Sequence, residues 1–135
     1  MIKQIGPEEY TEISKWWEAQ GFPVVPPAAL PSTGYMVSNY QGLGIYAGFL
    51  YVPKEGNIGW LEWIVANPEA PKNLRSPAFS ELVEHITQLA KAIGLNMLFT
   101  SADKSKVSFI ERLKTTGFID GQETVTHLIK MLPRS

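Results

Sequence analysis

Residues 58–94 read IGWLEWIVANPEAPKNLRSPAFSELVEHITQLAKAIG, and a change of period inside this stretch decides the fold class. From Ile58 to Ala66 the chain is rich in aromatic and β-branched side chains, as suits a pleated, half-buried strand. Beyond Pro68 the period lengthens. Phe79, Leu82, Val83, Ile86, Leu89, Ala90 and Ile93 recur at steps of three and four, which stacks them along one side of a helix. Ser76 reads as the N-cap of that helix, Pro77 as a first-turn residue and Gly94 as its C-terminal stop. Asn96 to Thr100 follows as a short apolar strand.

Upstream, Tyr35–Asn39 and Leu43–Val52 carry the same strand composition and are joined by a tight Tyr-Gln-Gly turn, a hairpin signal. The turn Lys54-Glu55-Gly56-Asn57 then leads into Ile58, so three consecutive antiparallel strands form a meander. Before them, Pro7, Glu8 and Glu9 open a helix whose Tyr10, Ile13, Trp16 and Trp17 fall at helical spacing, and Gly21 stops it. Between helix and meander lies Phe22–Thr33, where Pro23, Pro26, Pro27 and Pro31 forbid regular structure beyond a short turn at Ala28–Leu30. Downstream, Asp103–Thr116 reads as an amphipathic helix closed by Gly117, and Thr124–Met131 as a last strand with Val125, His127, Ile129 and Met131 on one face. The expected order is α-β-β-β-α-β-α-β in a single domain over residues 1–135.

Composition narrows the function. A chain of 135 residues can bury a core without disulfides or a structural metal. It has no cysteine, which removes thiolate chemistry and cysteine zinc sites and fits a reducing, cytoplasmic setting. Twelve Lys plus Arg against thirteen Asp plus Glu leave a formal charge of −1, so neither nucleic acid nor an anionic membrane is an expected partner. No apolar run approaches the about 20 residues of a spanning helix, and no leader or anchor is expected.

Two local stretches, in this order of elements, carry a resemblance. Leu61-Glu62-Trp63-Ile64-Val65-Ala66-Asn67-Pro68 is similar to the central strand, ending in Val-x-x-Pro, of the GNAT superfamily of N-acetyltransferases. Phe109-Ile110-Glu111-Arg112-Leu113-Lys114-Thr115-Thr116-Gly117-Phe118 is similar to that family's helix closing on Gly-Phe. The compactness resembles small GNAT-like proteins encoded by phages. The resemblance implies an α+β sandwich, a mixed and mostly antiparallel sheet with helices on both faces. It also implies transfer of an acetyl group from acetyl-CoA, as cosubstrate, to an amine acceptor. In the family the central strand splays from the strand after the long helix, and the pantetheine arm lies in the gap along the strand backbone. Here that gap would separate Ile58–Ala66 from Asn96–Thr100, with Ile64 and Val65 beside the arm. The family's pyrophosphate rests on amides at the start of the long helix, a place where unpaired donors and the helix dipole favour an anion. That place corresponds to Lys72 through Phe79, with Lys72, Arg75, Ser76, Ala78 and Phe79 as the candidate ligands.

The chain departs from the family pattern at three places, one of them Lys106, which stands where the family often has an asparagine near the start of the second helix. Lys72–Phe79 contains none of the glycines that let a backbone approach phosphates, and Pro77 lacks an N–H. Leu113 stands where the family usually has a tyrosine that protonates the departing thiolate. A GNAT-shaped binding or interaction protein without catalysis is therefore the alternative expectation.

Glu62 is the candidate base, because an acid at a comparable place on the central strand takes the amine proton in similar enzymes, and flanking Trp60 and Trp63 would raise its pKa by desolvation. The competing account is a carboxylate on an exposed sheet face. Arg75 competes with a surface arginine near a helix start, where a cation opposes the dipole. His85 reads as a helix-flank residue and His127 as a core histidine. With no acidic cluster near either, no metal site is expected. Trp16, Trp17, Tyr35, Tyr46, Tyr51, Trp60 and Trp63 are core candidates, some of them able to line an acceptor pocket. A homodimer is compatible with these features.

Overall fold

A computed structural model describes residues 1–121, 123 and 125–133 of the chain. Among the described residues five strands form one sheet in chain order: β1 (Ile2–Gln4), β2 (Gly34–Ser38), β3 (Gly44–Tyr51), β4 (Ile58–Ala66) and β5 (Met97–Phe99). The first four pair antiparallel and β5 joins β4 in parallel, the mixed sheet that the resemblance implies. Three α-helices of the described residues accompany it, α1 (Pro7–Ala19), α2 (Lys72–Ala92) and α3 (Val107–Thr115), with a short 3-10 turn at Pro27–Ala29 in the Pro-rich loop. None of these helices is long and apolar enough to cross a membrane.

Strand alternation sends neighbouring side chains to opposite faces and so builds two cores. Met36, Ala47, Phe49 and Val65 meet Ile13, Trp16 and Trp17 of α1 on one face. Val37, Leu50 and Leu61 meet Phe79, Leu82, Val83 and Ile86 of α2 on the other, joined by Leu113 of α3. Helices thus cover both faces, and β3, buried along seven of its eight residues, is the axis of the domain.

The structure corrects the expected elements at four places. β1 was not read from the sequence, since three residues with two exposed carry no strand pattern. Helix α2 begins at Lys72 with Pro71 as its cap, four residues before the expected N-cap Ser76. Pro77 consequently lies inside the helix. It is tolerated there because the carbonyl it leaves without a donor belongs to Asn73, and both residues are exposed to water. Helix α3 begins at Val107 instead of Asp103, whose carboxylate accepts the Ser105 N–H and hydroxyl, each at 2.9 Å, in a local turn. Residues 125–131 of the expected last strand form no strand, and Thr124 lies outside the described residues. Alternation makes a segment competent to pair without supplying the edge that pairs it. His127, expected in the core, is exposed.

At the start of α1, Glu9 accepts the Gly6 N–H at 2.7 Å and pairs with Lys3 at 3.3 Å. The Gly6 hydrogen bond is the main cause that holds the Glu9 carboxyl below its ordinary range, with Lys3 adding to it. Because the folded form prefers the ionised carboxylate, this contribution is complete above the unfolded pKa and is lost as pH falls through the folded one. Glu9→Ala should cost about 1 kcal/mol at neutral pH, with the difference from the parent vanishing in acid. Thermal melts of both proteins from neutral pH to pH about 3 check it; equal stability at neutral pH contradicts the cap.

Candidate functional site

Strand β4 pairs with its two neighbours over different lengths, and the mismatch makes the site. Toward β3 the ladder runs from Tyr51↔Trp60 to Tyr46↔Ala66. Toward β5 it is confined to Ile58↔Met97, Gly59↔Leu98 and Trp60↔Phe99. The Thr100 hydroxyl closes onto the Leu61 carbonyl at 2.7 Å, and beyond it the strands separate. Glu62 through Ala66 therefore have no partner on β5.

A bulge lies within the separated half. Ala47 faces Val65 and Phe49 faces Glu62, so Trp63 and Ile64 together stand opposite Gly48. Trp63 takes φ 58°, a left-handed value unusual for a bulky residue. Bulges of this kind re-aim side chains and interrupt pairing beside functional sites. The Trp63 indole N–H donates to the Tyr51 hydroxyl at 2.7 Å, and that hydroxyl donates to the Ala29 carbonyl at 2.9 Å. These two bonds tie the Pro-rich loop to the bulge.

The gap is an open cleft of about 420 Å³. One wall is Glu62–Ala66 of β4, and the opposite wall is Thr100–Asp103 with Lys106, Phe109 and Arg112. Trp17, Gln20, Phe22 and Pro23 close one end. The Gln20 amide donates to the Ala66 carbonyl at 2.7 Å, which leaves the backbone of Trp63–Val65 as the free part of the β4 wall.

Three cations line this cleft: Arg75, Lys106 and Arg112. None joins an ion pair among the described residues. Arg112 Nη1 donates to the Tyr46 hydroxyl at 3.2 Å, and Lys106 Nζ lies 6.0 Å from the centre of the Phe22 ring. Arg75 Nη2 donates to the carbonyls of Pro68, at 2.9 Å, and Ala70, at 3.2 Å, and staples the β4–α2 turn. Its Nε is buried without an acceptor among the described residues. Such an unmet donor is costly unless water or a ligand accepts from it, and an anion is one acceptor that a guanidinium favours.

Of the expected site residues, the structure gathers Glu62, Ile64, Val65 and Arg75 around the cleft. Lys72 becomes the first residue of α2 and is exposed near its N-terminus, outside the cleft lining. Ser76 is exposed one turn inside the helix, while the Ala78 and Phe79 side chains are buried in the core. Amides beyond the first four of a helix are engaged by carbonyls four residues earlier, so the donors at this helix start belong to Lys72–Leu74 and not to Ser76, Ala78 and Phe79. The Leu74 N–H is itself turned onto the Pro71 carbonyl at 3.0 Å. Sequence reasoning assigned no site role to Lys106 and Arg112. The signal was their spacing with Phe109, three residues from each, which sets all three along one side of α3.

Glu62 is half-buried, and burial pushes its carboxyl above the ordinary range, while the His127 charge acts in the opposite direction.

No family model and no curated protein matches the sequence. Solved structures do match in shape. The ribosomal-protein-S18-alanine N-acetyltransferase of Escherichia coli superposes with a TM-score of 0.73 at 13% identity, over 90% of this chain and 79% of that one. A Mycobacterium tuberculosis protein solved with CoA gives 0.71 at 12% identity, over 94% and 76%. An aminoglycoside acetyltransferase from an uncultured soil metagenomic sample, solved with sisomicin, gives 0.70 at 14% identity, over 98% and 96%. The chain has the GNAT fold.

A carboxyl raised by burial is held more readily as the acid in the folded state, so stability falls as pH rises from the unfolded pKa through the folded one. Glu62→Gln removes the ionisation and should raise the melting temperature at neutral pH, with the gain disappearing below the unfolded pKa. Calorimetric melts against pH read this directly, and a variant less stable than the parent at neutral pH contradicts the assignment.

Proposed function

We propose that this chain is an acyl-CoA-dependent N-acyltransferase, taking acetyl-CoA as cosubstrate and passing its acyl group to an amine. The observation that carries the proposal is the early parting of β4 from β5, which leaves β4 backbone without a β5 partner along a cleft lined by three cations that join no ion pair among the described residues. An extended amide chain ending in phosphates suits such a cleft. Its amides can pair with Trp63–Val65, and its anionic end can face Arg75 and the first amides of α2. The buried Nε of Arg75, without an acceptor among the described residues, supports the fit.

Bound there, acetyl-CoA supplies an electrophilic thioester carbonyl. The chain contributes proximity, by holding the amine and the carbonyl in one cleft, and a proton acceptor in Glu62. Half-burial raises the proton affinity of this carboxylate, so it can take the proton that the amine loses as the carbon–nitrogen bond forms. The acceptor enters from the end built by Trp17, Phe22, Pro23 and Trp63, where aromatic and prolyl surface favours an amine with apolar substance near its nitrogen.

Titration calorimetry with CoA should show saturable binding that Arg75→Ala weakens about tenfold, the loss of one charge-assisted contact of about 1.4 kcal/mol. Glu62→Gln should leave CoA affinity intact and lower turnover over a panel of primary amines by about a hundredfold. No binding at millimolar CoA contradicts the proposal. Binding without turnover on any amine favours the ligand-binding alternative, to which Leu113 and the glycine-free helix start lend weight.

A further inference from the structure

Beside Glu62 the sheet carries a row of aromatic rings that the proposed transfer does not use. Trp60 stands opposite Tyr51 of β3 on one side and opposite Phe99 of β5 on the other, so the row crosses three strands. Directly opposed residues share a face of a sheet, and so do residues two apart on one strand. The row therefore lies on the face that Trp60 shares with Glu62, away from Leu61, which packs beneath α2. Helix α1 covers this face over Met36, Ala47, Phe49 and Val65. Outside that cover Trp60 is 44% and Phe99 43% exposed, and their rings stack at 4.9 Å with 22° between the planes. Trp63 belongs to the same construction. Its φ of 58° is strained for a bulky residue, and such strain persists only where the surroundings over-determine it. The indole N–H is held on the Tyr51 hydroxyl at 2.7 Å, which ties this side chain to the end of the row while it still lines the cleft.

We propose that Trp60, Phe99 and Trp63 form the acceptor platform and select aryl-alkyl monoamines; the proposal rests on the acyl-CoA reading of the cleft. The platform continues the acceptor end of the cleft past Trp63 onto the open sheet face. An ammonium is attracted both to a carboxylate and to the face of an indole, and an aryl group stacks on such faces. One carboxylate beside flat rings thus suits a ligand with a single positive charge and a flat apolar body. The nitrogen meets Glu62 and the aryl group lies on Trp60 and Phe99, which bind the body of the acceptor and take no part in bond making. A polycation fits poorly. Among the described residues the cleft lining holds one further carboxylate, Asp103, which accepts from Ser105, and it holds the cations Arg75, Lys106 and Arg112.

Calorimetric titration of the CoA-saturated protein with phenethylamine, butylamine and spermidine, repeated without CoA, reads the platform apart from turnover. Phenethylamine should bind about tenfold more tightly than butylamine, the worth of stacking one aryl group on the row. Spermidine should bind no more tightly than butylamine. Phe99→Leu keeps an apolar side chain and removes a flat face, and should cut the preference to about threefold. Trp60→Ala should abolish it. CoA affinity should stay within about twofold of the parent's in both variants, because neither side chain lines the proposed CoA path. Glu62→Gln should weaken both monoamines alike and keep their ratio. Equal affinities of the parent for the two monoamines overturn the platform, as does a preference unchanged in Trp60→Ala, or spermidine binding more tightly than phenethylamine. A parent that sediments as a dimer and becomes monomeric in Trp60→Ala shows the row covered by a second copy and overturns it too. Failure to bind CoA overturns the acyl-CoA reading by itself, while the amine ratio measured without CoA still decides the platform.

Discussion

Hydrogen bonding along β4 is unequal on its two sides, and the functional part of the molecule follows from that inequality. Toward β3 the strand is paired nearly end to end, which fixes it in the sheet; toward β5 only three residue pairs hold before Thr100 takes over from the ladder. Backbone polar groups left without partners in a protein interior cost free energy comparable to a lost hydrogen bond. A separation of this length is stable only where water or a ligand can answer those groups. The bulge at Trp63 and Ile64 sits within the separated half, where an extra residue disturbs one ladder and not two.

The surroundings of the gap share this logic. The indole of Trp63 and the hydroxyl of Tyr51 carry the bulge to the Pro-rich loop, so that loop is tethered to the strand that forms the cleft wall. Gln20 reaches from the end of α1 to the last β4 carbonyl and limits the slot on that side. At the other end, Arg75 holds the β4–α2 turn through the carbonyls of Pro68 and Ala70. It places a cation where the helix dipole alone would discourage one. Three cations against the two carboxylates of Glu62 and Asp103 around one concave surface raise the local concentration of anions, which suits a phosphate-bearing ligand on a chain whose formal charge is only −1.

Where the sequence spoke through composition it was largely accurate: β4 occupies Ile58–Ala66, as its aromatic and β-branched run predicts, and the apolar period of α2 follows the buried side from Phe79 to Ala90, while Ile93, expected with it, is exposed at the cap. The bulge was not legible, because a left-handed glycine would have marked it and a tryptophan does not. The start of α2 was misplaced because two prolines six residues apart, Pro71 and Pro77, can each open a helix. Tertiary packing decides between them: Leu74 packs against the core beneath α2, and the helix extends one turn to place it there. Glu62 and Arg75, singled out from their context in the sequence, both line the cleft, but Tyr46 joins Arg112 across 66 positions of sequence, a pairing that only the folded sheet reveals. The C-terminal segment shows the converse. Its alternation is plain on paper, yet 125–131 stays outside the sheet, since an edge and a register come from the rest of the fold.

Backbone amide shifts on titration with CoA put the central claim to the most direct test, because they report where a ligand lies whether or not it reacts. The account predicts that the largest changes fall on Trp63, Ile64 and Val65 of β4 and on Lys72 and Asn73 at the start of α2, with β1 and β2 unaffected. Saturable changes confined to the outer strands, or to the exposed faces of α1 and α2 with the amides of β4 unmoved, would contradict it.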